Sequence, residues 1–293
     1  MSDTDLLLPN QPVADGLASP SGPLLALSLG AGVQSSTLAL MAVHGEIPPP
    51  DCAIFADTGA EPKAVYEWLN KLESLMPWPL HRVMKGDGLL ENIKGAINGG
   101  RLAGAPFYTE NEAFNATDKE GQLRRQCTRE FKVEPITQKL RSLIGAAKGE
   151  RLAGKGTLVI QYIGISLDEI IRMKPSRERW IEHQWPLIEK RMTRWDCMMW
   201  LQKHGYTVPP KSACSFCPYH GNHEWRFLRD NDKAAWNQAV EVDRMIRGGV
   251  RGTKHALYLH RDMKPLDEVD LSTDIERGQM SLFENECEGM CGV

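Results

Sequence analysis

Ser28-Leu29-Gly30-Ala31-Gly32-Val33-Gln34-Ser35-Ser36-Thr37 stands between an apolar run at 24–29 and a helix-like stretch that begins near Gln34. An apolar strand that turns through glycines straight into a helix leaves few architectures open. Glycines let the backbone approach an anion, the unbonded N–H groups of the helix start point at it, and serine hydroxyls add donors. A second apolar run, 52–56, ends in Asp57-Thr58-Gly59 and sets a carboxylate on the neighbouring loop. Together the two loops predict a phosphate cradle along one edge of an α/β sheet.

Strand and helix patterns alternate from 24 to 97. Strands are expected at 24–29, 52–56 and 80–84, and helices at 35–44, from Pro62 onward, and at 88–97. Proline is tolerated where it opens a helix. Val65, Leu69, Leu72 and Met76 then recur at the three-to-four spacing of one helical face. This alternation predicts a doubly wound, mostly parallel sheet with right-handed crossovers. The glycine-rich, polar stretch 98–125 reads as a lid or binding loop. Beyond it the patterns give a helix at 133–147, a long buried strand at 157–166, helices at 193–204 and 222–246, and a last strand at 255–260. The expected organisation is a flexible leader (1–23), a nucleotide-binding α/β domain (24–192), a Cys-rich helical region (193–261) and an acidic flexible tail (262–293).

Composition narrows the class. The chain has 293 residues, 42% hydrophobic and 25% charged, which suits one large globular domain or one with a smaller appendage. A net charge of −3 gives no global electrostatic case for nucleic acid or membrane. Arg172, Lys174, Arg177, Arg179, Lys190, Arg191 and Arg194 nevertheless cluster mid-chain and predict a local basic patch. No run approaches the roughly 20 apolar residues of a membrane span. The first 23 residues lack the basic start and apolar core of a secretion signal. Seven cysteines, an odd number, argue against a disulfide framework and for a cytoplasmic, reducing setting.

Cys214-Ser215-Phe216-Cys217-Pro218 carries the strongest metal-site signal, because two intervening residues let both sulfurs turn toward one centre. Cys127 lies among Arg124, Arg125, Arg129 and Lys132, a setting that favours its thiolate. Cys197 is the next candidate, and His220 is a substitute for one cysteine. Three readings stay open: an iron–sulfur cluster, a structural zinc on the same residues, or a redox dithiol. Cys52, between apolar neighbours, reads as a small core residue. Cys287 and Cys291 are either idle thiols or mobile nucleophiles that swing into a site.

In this order the motifs resemble the PP-loop (adenine-nucleotide α-hydrolase-like) superfamily, and within it the phosphoadenosine phosphosulfate (PAPS) reductase-like group. The resemblance rests on residues 28–36, on Asp57-Thr58-Gly59 with Glu61 and Tyr66, and on Arg125-Gln126-Cys127-Thr128 with Lys132. It rests also on Pro186-Leu187 followed by Thr193-Arg194-Trp195-Asp196. Cys127, Cys197, Cys214 and Cys217 are arranged as in cluster-bearing sulfurtransferase-like members, including those of phage and DNA phosphorothioation systems. The resemblance implies a [4Fe-4S] cluster, with zinc as the alternative, and ATP or a related adenine nucleotide as cofactor. It implies the nucleotide on Ser28, Gly30, Gly32, Gln34, Ser35, Ser36, Asp57, Thr58 and Gly59, with Mg2+ as a further candidate near Asp57. Ala31 and Gln34 replace a glycine and an aspartate of the ATP pyrophosphatase loop.

The expected activity is adenylation of an acceptor with pyrophosphate release, followed by sulfur transfer, with Lys132, Arg172 and Arg177 offsetting charge. The sulfur donor would be a cysteine desulfurase or a thioredoxin-like protein, and the acceptor DNA, tRNA or a small molecule. One alternative is a PAPS or adenylylsulfate reductase acting through Cys287 or Cys291. Another is a non-catalytic nucleic-acid-binding module whose strip combines Arg172 to Arg194 with Trp180 and Trp185.

Overall fold

The computed structural model describes residues 22–110, 120–272 and 276. Its centre is a five-stranded, wholly parallel sheet in the order β3-β2-β1-β6-β7. The strands are β1 (Leu24–Ser28), β2 (Cys52–Asp57), β3 (Leu80–Met84), β6 (Val159–Ile163) and β7 (Ile181–Gln184). Helices α1 (Val33–Val43), α2 (Lys63–Leu75), α3 (Leu89–Ile97), α4 (Glu134–Leu143), α5 (Pro186–Glu189), α6 (Arg194–Lys203), α7 (Asn222–Asn231) and α8 (Lys233–Ile246) surround it. A small antiparallel sheet joins β5 (Glu120–Gln122), β4 (Tyr108–Glu110) and β8 (Leu257–Tyr258) in that order.

Strand side chains alternate between faces, and the sheet separates them into two apolar layers. Leu27, Ala53, Phe55 and Tyr162 pack with α1, α2 and α6, whereas Leu24, Ala26, Cys52, Ile54 and Val159 pack with Leu140 of α4 and with Trp180. With helices on both faces the architecture is α/β and doubly wound, as the alternation predicts. The chain runs outward from β1 through β2 to β3, then returns past β1 to β6 and β7. The winding therefore reverses between β1 and β6, which are paired from Leu24↔Val159 to Ser28↔Ile163. A crevice at the carboxyl ends of two such strands is where open α/β sheets bind ligands. The glycine-rich loop begins there.

A third apolar cluster lies outside the sheet. It unites α3, the segment 103–107, α7, α8 and residues 257–271. Asp243 of α8, 1% exposed, ties this lobe together. Its carboxylate accepts from the backbone N–H of Leu259 (2.9 Å) and Leu266 (3.0 Å) and pairs with Arg247.

Several elements differ from expectation. The stretch 98–125, expected as a lid or binding loop, carries the short strands β4 and β5 among its described residues. The helix expected over 222–246 is split at Asp232, whose φ of −134° leaves the helix and whose carboxylate caps Ala235 N at 3.0 Å. β7 and α5 escape the sequence patterns because each spans only four residues. The boundary expected at 193 is crossed, since Cys197 and Leu201 of α6 pack in the same layer as α1. Residues 262–272, expected as flexible tail, bury Leu266, Val269 and Leu271 in the third cluster. Trp180, expected on a surface strip, is 2% exposed. Among the described residues no helix is long and apolar enough to cross a membrane.

Asp243→Ala would leave two buried amides and the Arg247 guanidinium without their acceptor. We expect a loss of about 3–5 kcal/mol in urea-induced unfolding, with Asp243→Asn recovering part of it.

Candidate functional site

The first half of the site is the turn from β1 into α1. Gly32 is the N-cap of α1, no side chain caps the helix, and no carboxylate stands in its first turn. Ser36 N reaches back to Gly32 O (3.0 Å), so the amides before it are the ones an α-helix leaves without an internal acceptor. These amides and the positive end of the helix dipole favour an anion. Gly164, just past β6, lies against this turn. A Cβ on it would fall 2.9 Å from Ser35 N, so glycine there lets the two loops close. Ala31 holds a left-handed φ of 59° with its methyl fully buried. A non-glycine residue in that conformation costs about 1–2 kcal/mol.

The side chains of the turn are partly committed elsewhere. Ser35 Oγ accepts from Gly30 N (3.1 Å), and Ser28 Oγ accepts from Gln161 Nε2 (2.5 Å). Ser36, expected as a phosphate donor, is fully buried and takes Trp68 Nε1 at 2.9 Å, so its hydroxyl serves the core. Gln34 turns sideways into a polar cluster that the sequence did not reveal. Its amide donates to Ser166 Oγ (3.4 Å) and Glu169 Oε2 (3.3 Å), and its carbonyl accepts from Arg194 Nη1 (3.2 Å). Arg172 joins through Glu169 at 2.7 Å. Arg177 is exposed and precedes β7, at the opposite end of that strand from the cradle.

The second half begins where β2 ends. Asp57 Oδ1 accepts from Gly59 N and from Tyr66 Oη, both at 2.7 Å. Burial and this carboxylate push the Tyr66 hydroxyl up, so it stays protonated and holds Asp57 in place. Thr58, 2% exposed, turns the other way. Its hydroxyl lies 3.3 Å from Glu61 Oε1 and 3.2 Å from Cys214 Sγ. A hydroxyl has one proton to give, and a thiolate at Cys214 competes with Glu61 for it.

Cys214 is set beside Thr58 by the chain that follows it. Ser215 N donates to Ala60 O (2.7 Å), Cys217 N to Cys214 O (3.0 Å), and Phe216 is buried in the third cluster. From the other side Cys127 N reaches Gly104 O at 3.2 Å, just before a π-helical turn over Arg129–Val133. That turn brings Lys132 to 3.6 Å from Glu61. Cys127, Cys214 and Cys217 thus line one pocket of about 450 Å3, part of it open to solvent. Thr58, Arg125, Thr128, Lys132 and Tyr219 share its wall. Arg125 belongs to the motif read around Cys127, whereas the place of Tyr219 is one the motifs do not announce; the Arg125 guanidinium lies 5.5 Å from the Tyr219 ring centre.

Two expected ligands are elsewhere. Cys197 is fully buried among α1 and α6 residues, in a different apolar cluster from the one that Cys127 and Cys214 pack against. Burial pushes its thiol up to about 12, which suits a core side chain. His220 faces Cys214 O with Nε2 (2.9 Å) and Glu224 with Nδ1 (3.7 Å), so it braces the knuckle from behind. Cys287 and Cys291 lie outside the described residues. Among the described residues, no three His, Cys, Asp or Glu side chains are gathered closely enough to hold a metal ion.

No protein-family model and no curated protein matches the chain. Among solved structures it is similar to phosphoadenylyl-sulfate (PAPS) reductase from Candida auris in its phosphate complex. That match has 15% identity, covers 64% of this chain and 76% of that one, and has a TM-score of 0.41.

The brace behind the knuckle titrates. Burial pushes the Glu224 carboxyl up, but the His220 ring and the Lys211 ammonium outweigh it and hold the group at about 2, against an ordinary 4.5. A carboxylate depressed in the fold contributes stability above its unfolded value and loses it as pH falls toward the folded one. We expect the stability of the wild type to fall between pH 4.5 and 2 more steeply than that of Glu224→Gln, read by urea unfolding.

Proposed function

We propose that this chain is a nucleotide-dependent sulfur-transfer enzyme of the PAPS reductase-like kind. One observation carries the reading. Thr58, whose hydroxyl touches Cys214, directly follows Asp57 at the strand ends that form the cradle. A nucleotide on the cradle and a sulfur centre among the thiols would therefore be neighbours.

In this reading the adenine nucleotide lies across the carboxyl ends of β1, β2 and β6, its phosphates on the free amides of α1. Asp57 takes the ribose or a Mg2+ ion. An oxygen of the acceptor attacks the α-phosphorus, the bond to the β-phosphate oxygen breaks, and pyrophosphate leaves. The terminal sulfur of a persulfide carried by a cysteine desulfurase then attacks the acceptor atom that bears the activated oxygen and displaces AMP, and a thioredoxin-like dithiol reduces the resulting S–S bond, becoming a disulfide as it frees the thiolated acceptor. Arg172 lies at the cradle and offsets the phosphate charge; Lys132 lies at the thiols and offsets theirs.

Three soft thiol donors near Lys132 and Arg125 suit an anionic thiolate cluster. A structural zinc on the same thiols, with metal–sulfur bonds of about 2.3 Å, is the alternative. When bound, the cluster would supply sulfide and electron-transfer chemistry. Cys127, Cys214 and Cys217 would hold it, and Cys197 would not.

One observation favours a second reading, a PAPS or adenylylsulfate reductase. The first turn of α1 carries Gln34 and no carboxylate, so a ligand bound without Mg2+ fits it. Sulfite release from a sulfonucleotide separates the two.

The test is anaerobic purification with absorption spectroscopy and iron and zinc analysis, alongside ATP–pyrophosphate exchange. We expect a brown protein whose iron is lost in Cys127→Ser, Cys214→Ser and Cys217→Ser but kept in Cys197→Ala. Lys132→Ala should lower turnover by about 10²-fold. Colourless zinc protein would overturn the cluster. Absence of exchange, together with absence of nucleotide binding, would overturn the enzyme.

A further inference from the structure

Past the carboxyl ends of β6 and β7 the surface changes character. The 3-10 turn Leu167–Arg172 and the start of α6 lie side by side there. Leu167 N donates to Met192 O (2.8 Å), and Arg194 N donates to Asp168 Oδ1 (2.9 Å). Ile171 is 88% exposed and Trp195 65%, with Ile170, Met173 and Met199 also exposed. Trp195 and Met199 are four apart on α6 and share a face. Apolar surface left open on this scale marks a binding site more often than idle surface.

Cations run from this ground along the edge strand: Lys190 and Arg191 lead directly into it, Lys174 lies beside β7 with its carbonyl on His183 Nδ1 (3.0 Å), and Arg177 and Arg179 precede β7 at its amino end. Residues 172–194 hold seven cations against the three carboxylates Glu178, Glu182 and Glu189, in a chain whose net charge is −3. Arg172 is spent on Glu169, and Arg194 reaches Gln34. Lys174, Arg177, Arg179, Lys190 and Arg191 are all exposed and stand in no ion pair with a described carboxylate. Arg191 is presented from a left-handed turn, φ 55°. The same strip is bonded to the cradle, because Glu169 and Arg194 both hold Gln34 of α1.

The geometry points to a single-stranded nucleic acid as the occupant of this strip, and, resting on the proposed function, as the sulfur acceptor. Phosphates are the anions that five dispersed cations suit, and an exposed indole beside them suits an unpaired base, which stacks without regard to sequence. A duplex hides its base faces and would meet only the cations. An acidic protein would satisfy the charge but does not pair each anion with a planar ring, as every nucleotide does.

The experiment uses the full-length protein, without nucleotide, and fluorescein-labelled oligothymidylate or oligouridylate read by anisotropy against a duplex of equal length. We expect single strands to bind more tightly than duplex, with affinity falling as salt rises and tryptophan fluorescence quenched on binding. Trp195→Ala should weaken binding about tenfold or more, and Trp195→Phe should keep most of it. Lys190→Ala with Arg191→Gly removes two charges at a turn where glycine is at ease, and should reduce the salt slope by about 1.4. Equal binding to duplex, or a neutral Trp195→Ala, overturns the stacking strip. So does a concentration-dependent dimer that Trp195→Ala turns monomeric, which makes the patch a self-interface. Because no nucleotide is present, failure here leaves pyrophosphate exchange and iron content to judge the enzyme reading separately.

Discussion

Thr58 is the joint on which the site depends. Its carbonyl accepts Leu89 N at 2.8 Å, which starts α3, while its hydroxyl lies between Glu61 and Cys214. Gly88 shows how tight this joint is: its φ is 92°, and a Cβ would fall 2.8 Å from the Thr58 carbonyl oxygen. One buried residue thus couples the end of a core strand, the first helix of the outer lobe and the cysteine knuckle. Each of those segments has its own apolar anchor, so movement of one is resisted by all three.

Electrostatics divides the carboxyl edge of the sheet into two stations. At the cradle, backbone amides and the α1 dipole supply the positive potential, and the nearby guanidiniums are held by Gln34 and Glu169. At the thiol pocket, Lys132 and Arg125 supply it, with Lys132 itself balanced by Glu61. A ion-pair network behind the second station, in which Glu130 takes both Arg101 and Lys85, fixes the π-helical turn that carries Lys132. The slightly acidic total conceals this arrangement, since net charge reports nothing about where the charges lie.

Much was legible in the residues themselves. The strands at 24–28 and 52–57 are near-continuous apolar runs because the centre of a parallel sheet buries both faces, and such runs stand out, whereas β3 at the sheet edge reads Leu-His-Arg-Val-Met with Arg82 and Met84 exposed. The loop motifs after β1 and β2 are local, and so is the Cys214–Cys217 pair. Cys52 was legible for the same reason, lying inside one of those runs. Ser36 and Cys197, expected at the phosphate cradle and the metal site, are buried in the core instead, because spacing along the chain does not say which face of a helix meets the site. Both are small polar residues that a core accepts when a partner such as Trp68 or Thr37 is at hand.

By itself, the sequence determined the alternation of strand and helix, the glycine turn between β1 and α1 and the Cys214–Cys217 pair, all of which rest on relations within a few residues. Only the tertiary structure decided which thiols meet. Cys127 and Cys214 are brought together by separate anchors, the carbonyls of Gly104 and Ala60 and the packing of Phe216, that no periodicity encodes. It also decided that Gln34, Glu169, Arg172 and Arg194 form one cluster, since the switch between β1 and β6 places distant segments at the same sheet edge. Local propensity writes elements; long-range burial and hydrogen bonding choose their neighbours, and a site made of neighbours is visible only once the chain is folded.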